Sequence, residues 1–161
     1  MARYNQWANL RLYDAAGELT EDALRRDVGV YFKSLYLTLE HLLRTDWAWT
    51  HLLRGHSLAD MPVMVPPADF AALRFAREAQ DAMIVEWLDA VDEDWLERPF
   101  SFTSALGSWR GMTFEGSHAS TLAHVFNHQT HHRGQAHSAL SLLGVADPPA
   151  LDILVQGMLG E

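Results

Sequence analysis

The chain has 161 residues and a mass of 18.2 kDa, 48% of them hydrophobic and 20% charged, which suits one packed domain and is wrong for a disordered chain. Twelve Lys+Arg against 21 Asp+Glu leave a net charge of -9, a surface that repels phosphate backbones and argues against a nucleic-acid partner. With no cysteine, disulfides, thiolate metal ligands, iron–sulfur clusters and a cysteine nucleophile are all excluded, and no apolar run reaches the roughly 18 residues of a membrane span.

The opening MARYNQWANLRLYD carries charge and has no apolar core, so it does not read as a secretory signal, and a cytoplasmic protein is the expectation. Tyr4, Trp7, Ala8, Leu12 and Ala15 recur at helical spacing and predict an amphipathic helix over 2–19. Thr20 then suits the N-cap of a short acidic turn. A longer helix is predicted over 31–54. It has one apolar stripe of Leu35, Leu39, Leu42, Trp49 and Leu53 and a second of Leu37, His41, Ala48 and Leu52, so neighbours are expected on two sides. Gly55 ends it, and 61–67 is proline-rich loop.

Asp69 can cap a third helix running to about Val91, with Phe70, Leu73, Ala76, Met83, Ile84 and Leu88 on its apolar face. The aromatic, Thr-rich stretches 99–103 and 108–114 predict a small β-hairpin or ordered loop. A fourth long helix is predicted over 117–143, stopped by Gly144, and 151–159 can form a short final helix. No repeat or linker divides the chain. Four long helices with one small insert make an all-α four-helix bundle, a single domain over 1–161.

Six of the nine histidines fall between His118 and His137. At about 100° per residue, with His128 as zero, His132 lies near +40°, His124 near -40°, His131 near -60° and Gln135 near -20°. Val125, Ala139 and Leu142 share that side, so these histidines are expected on the face turned into the bundle, with His137 opposite and exposed. Imidazoles at i and i+4 converge on one point, which makes HxxxH a recurrent metal-binding pair. Unpartnered histidines are costly in an apolar core, and a divalent ion such as Zn²⁺ or Ni²⁺ resolves that cost by taking their lone pairs. The plainer readings are satisfied core or surface histidines, or a general base held by a neighbour. A catalytic ion commonly takes three protein ligands. Spacing alone leaves His124/His128 and His128/His132 both open as the pair. His41, deep in an apolar stretch, is the best third ligand, whereas His51 and His56 lie toward the helix end.

The segments Thr38-Leu39-Glu40-His41-Leu42, Asp46-Trp47-Ala48-Trp49 and Asn127-His128-Gln129-Thr130-His131-His132-Arg133-Gly134-Gln135 resemble the DinB/YfiT-like superfamily. Tyr4-Asn5-Gln6-Trp7-Ala8-Asn9 and Pro148-Pro149-Ala150-Leu151-Asp152 fit the same family, so the resemblance spans nearly the whole chain. It implies an up-up-down-down bundle, a homodimer, and a divalent metal, zinc or nickel, held by His41, His128 and His132. His124 and His131 then become supporting or rim residues, and Gln135 a hydrogen-bonding partner for a metal-bound water. Arg133 is expected as an ion-pair or supporting donor, Asn127 as a cap or cross-helix bond, and Gly134 as a point of close helix approach. Trp47, Trp49, Trp87, Trp95 and Trp109 read as core or pocket wall.

Characterised members of the superfamily include thiol-dependent transferases and isomerases. The resemblance therefore implies a metal-dependent enzyme acting on a small molecule, a thiol-dependent S-transferase or a hydrolase. Any thiol must come from a low-molecular-weight cosubstrate, because the chain has no cysteine. The alternative is a non-enzymatic helical bundle that binds a small molecule or a structural metal, with His124 or His131 closing a four-ligand shell.

Overall fold

The structure, a computed structural model, describes residues 1–104 and 110–159. Its helices are α1 (Ala2–Gly17), α2 (Glu21–Arg25), α3 (Leu35–Leu53), α4 (Phe70–Asp89), α5 (Glu93–Glu97), α6 (His118–Leu142) and α7 (Ile153–Leu159). Strands β1 (Pro99–Thr103) and β2 (Thr113–Ser117) pair antiparallel, with Phe102 opposite Phe114 and Phe100 opposite Gly116. The expected hairpin therefore forms. Trp109, expected in its second strand region, lies outside the described residues. No described helix is long and apolar enough to cross a membrane.

Side-chain caps set the helix starts. Thr20 accepts from the Ala23 amide, Ser34 from Leu37 and Asp69 from Ala72, each filling an orphan donor of a first turn. Ser34 is why α3 begins at Leu35 and not at Tyr31. The residues before it form a tight turn in which Val28 N donates to Lys33 O and Lys33 N to Val30 O, with Lys33 in the left-handed region at φ 70°. Ser117 is both the last residue of β2 and the N-cap of α6, in a reciprocal capping box with Ser120.

Helix α1 packs against α4 and α6, and α3 packs against the same two. Between them lies a core that includes Leu12, Tyr13, Leu35, Leu39, Leu42, Leu73, Ala136 and Leu140. The two-stripe expectation for α3 is half met. Leu35, Leu39, Leu42 and Leu53 are buried, but Leu37 is 42% exposed and His41, Ala48 and Leu52 are half-buried. The second stripe carries His41 of the histidine site.

Beside this apolar core runs a buried polar layer that draws on all four long helices. Asp81 of α4 accepts from Asn9 Nδ2 at 3.1 Å, from Asn5 Nδ2 at 3.3 Å, and from Arg77 at 2.8 Å. Arg77 Nη1 lies 2.9 Å from Asp46 of α3, in ion-pair contact and not in hydrogen-bond geometry. Arg133 of α6, expected as an ion-pair or supporting donor, donates to the side-chain oxygens of Asn5 and Asn9. Two arginines against two aspartates leave the layer formally neutral, which is what makes its burial tolerable. Burial pushes the Asp46 carboxyl up, to about 6, against the pull of Arg77.

Candidate metal centre

The polar layer sets the register between the two helices that carry the histidines. Gln129 Nε2 donates to the Leu42 carbonyl at 3.2 Å and to the Asp46 carboxylate, both on α3. Gln129 is chain neighbour to His128, and Leu42 to His41. Clamping one pair brings the other together, and His41 Nε2 lies 3.4 Å from His128 Nε2. One ring nitrogen from each of His41, His128 and His132 falls within 4.8 Å of the others.

The 3.4 Å separation of His41 and His128 fits two ligands of one metal ion. Two imidazole ligands at about 2.0–2.1 Å from a tetrahedral Zn²⁺ stand roughly 3.3–3.4 Å apart. The protonation states fit as well. Burial, with the neighbouring His132 next in weight, lowers the His41 pKa to about 4. Burial and the surrounding histidines lower His128 to about 3, and burial also lowers His132. All three are neutral imidazoles near neutral pH, the form in which histidine binds a metal.

Gln135 does something other than the expected contact with a bound water. Its Oε1 lies 2.8 Å from His132 Nδ1, and its Nε2 lies 3.2 Å from His131 Nε2. A carbonyl oxygen can only accept, so His132 carries its proton on Nδ1 and keeps the Nε2 lone pair free. His131 is exposed and tied to Gln135, so it supports His132 through that amide. His124 is also exposed, its ring centroid 6.2 Å from that of His128 and 5.2 Å from that of Trp49. Phe32, which the sequence reading missed, stacks on His41 at 4.1 Å and reaches His132 at 5.3 Å. The turn ending at Lys33 positions it there.

The face of α6 differs from the expected one. Its buried residues are Val125, Phe126, Gln129, His132, Arg133, Ala136, Ala139 and Leu140. At about 100° per residue this arc centres roughly a quarter turn from His128. His128 thus sits at the border of the buried face, His124 and His131 lie outside it, and Leu142 is 60% exposed. His137, expected exposed, is half-buried, and Asn127, expected as a cap or a cross-helix bond, is exposed. Gly134 makes no close helix contact, since a Cβ added there meets nothing within 4 Å. Of the tryptophans, Trp49 forms part of a cavity wall, and Trp87 and Trp95 meet edge to face at 5.5 Å.

This arrangement of helices and histidines coincides with a family match. The DinB family model matches residues 1–156, and the chain belongs to the DinB family. It is also 23% identical over 159 residues to Protein DinB of Bacillus subtilis (strain 168), covering 91% of this chain and 86% of that protein. No solved structure matches the chain.

Proposed function

We propose that this chain binds one divalent metal ion through His41, His128 and His132 and is a metal-dependent enzyme, a thiol-dependent S-transferase or a hydrolase. The observation that carries the reading is the convergence of three neutral ring nitrogens within 4.8 Å of one another. Zinc and nickel suit such an all-imidazole site. The chemistry that such an ion supplies is acidification of a bound thiol or water and polarisation of a substrate.

The chain's own residues perform the rest. His41, His128 and His132 present lone pairs. Gln135 fixes the His132 tautomer and orientation. Phe32 covers the rings of His41 and His132 on one side. With no cysteine in the chain, a thiol nucleophile is supplied by a small cosubstrate.

An enzyme is favoured over a structural metal by the fourth position. Closing the shell would take a further protein ligand. His131 is engaged by Gln135, and His124 stands with its ring centroid 6.2 Å from that of His128. The proposal extends to an up-up-down-down four-helix bundle of α1, α3, α4 and α6, supported by the packing of α1 and α3 on both other helices. It also includes a single domain, a homodimer and a cytoplasmic location.

The test is metal content per chain, by elemental analysis of protein purified without a metal-affinity step. About one divalent ion per chain is expected in wild type and none in a His128→Ala/His132→Ala variant. A folded wild type that takes up neither Zn²⁺ nor Ni²⁺ overturns the proposal.

A further inference from the structure

The hairpin has an unusual face. Phe100, Phe102 and Phe114 project to one side of it, and Phe102 and Phe114 stack at 5.1 Å with planes 13° apart. A two-stranded hairpin is marginal alone and should bury such a face fully against its neighbours. It does not. All three rings are only half-buried, and so is Trp49 of α3, which meets Phe102 edge to face at 4.9 Å. Between these rings and the first turns of α6 lies a cavity of about 320 Å³, whose lining also includes Gly116, Thr121 and His124. Gly116 stands opposite Phe100 in the register and brings no side chain into the space. Larger hollows of about 610 and 1060 Å³ elsewhere reach none of His41, His124, His128 and His132, whereas this one reaches His124.

We propose that this aromatic-walled cavity binds a planar apolar group, a one- or two-ring aromatic, belonging to the molecule on which the histidine centre acts. Its volume is at the small end of ligand pockets, large enough for one or two fused rings and too small for a helix of a partner protein. The rings offer faces and edges to an aromatic guest, and the guest covers apolar surface that the fold leaves open. His124 links the two regions, lining the cavity while its ring stands 6.2 Å from that of His128. The shared-substrate part of this inference rests on the metal reading; the binding of an aromatic ring does not.

The probe is 5-fluoroindole, followed by fluorine NMR, which has no background from the protein. Saturable binding is expected to metal-free and Zn²⁺-loaded wild type alike. Thr121→Phe, which fills the cavity from α6, should weaken binding at least tenfold, and Phe114→Leu, which shortens one wall, about threefold. His41→Ala should bind within twofold of wild type. In Co²⁺-loaded wild type the paramagnetic ion should broaden the resonance of the bound probe, and in His41→Ala with added Co²⁺ it should not. No saturable binding to wild type, or equal binding to folded Thr121→Phe and Phe114→Leu, overturns the cavity. Binding without any cobalt effect in a cobalt-loaded protein overturns the link to the histidine centre. If wild type takes up no Co²⁺, the metal reading fails, while cavity-dependent probe binding still upholds the aromatic site.

Discussion

Two clusters of polar side chains share α3 and α6, and they are built in opposite ways. In the layer around Arg77, donors face acceptors: Asp81 meets Asn5, Asn9 and Arg77, while Asp46 meets Arg77 and Gln129. In the histidine cluster no opposite charge is present: two Nε2 atoms stand 3.4 Å apart, and burial holds both rings neutral near pH 7. The first finds its opposite charges within the chain and specifies how helices register. The second is compatible with a cation from outside. Burial of polar groups therefore carries no functional meaning by itself; what matters is whether the chain supplies the matching partners.

Breaking the comparison on the structural side should have the largest effect. Arg77→Met leaves the Asp46 and Asp81 carboxylates buried without their cation, and should cost about 3–5 kcal/mol in urea unfolding. A loss below about 1 kcal/mol would show that the layer is not needed. On the other side, zinc at a hundredfold excess over its Kd should stabilise wild type by about 2.7 kcal/mol, and His128→Ala/His132→Ala should abolish that gain. A rise in Tm persisting in the variant would place the metal elsewhere.

Gln135→Leu sharpens the contrast, since it touches only the site. Metal affinity should fall about 10–100-fold by competition against a chelator, with the unfolding midpoint of the metal-free protein unchanged. The pH response of metal-free protein follows from His41 and His128. Their folded values of about 4 and 3 lie below the ordinary 6.5, so the unfolded chain binds more protons between those limits. Stability is thus full above about pH 6.5 and declines as pH falls toward 4 and then 3, a slope that His41→Ala/His128→Ala should flatten. The smallest expected effect is a gain. Gly134→Ala, in an open position of α6, should stabilise by about 0.5–1 kcal/mol, and a loss would reveal a partner on that surface.

Much of this was legible in the chain. Apolar periodicity, with Asp69 as a cap and Gly144 as a stop, located α1, α4 and α6 to within about two residues, the usual precision of helix ends. The i, i+4 spacing of His128 and His132, with the family resemblance, picked out the cluster that the fold brings together. The polar layer was missed because polar residues on a helix are assigned to solvent by default. The signal was there in three i, i+4 polar pairs set among apolar residues, Asn5/Asn9, Arg77/Asp81 and Gln129/Arg133. Missing it also misplaced the buried arc of α6. Without Gln129 and Arg133 on the inward side, the histidines look like its centre when they form its edge. Phe32 was out of reach, because its place depends on the turn at Lys33 and on no periodicity.

The separation of 87 residues between His41 and His128 sets an order of events during synthesis. His41 leaves the ribosome with the first third of the chain, whereas its partners emerge near the end. At about 5–20 residues per second, several seconds pass in which the early helices exist without the last one. The three nitrogens meet only after α6 has docked, so capture of an ion there would be a late act of assembly, and it would fasten the last long helix to the second across a loop of most of the protein.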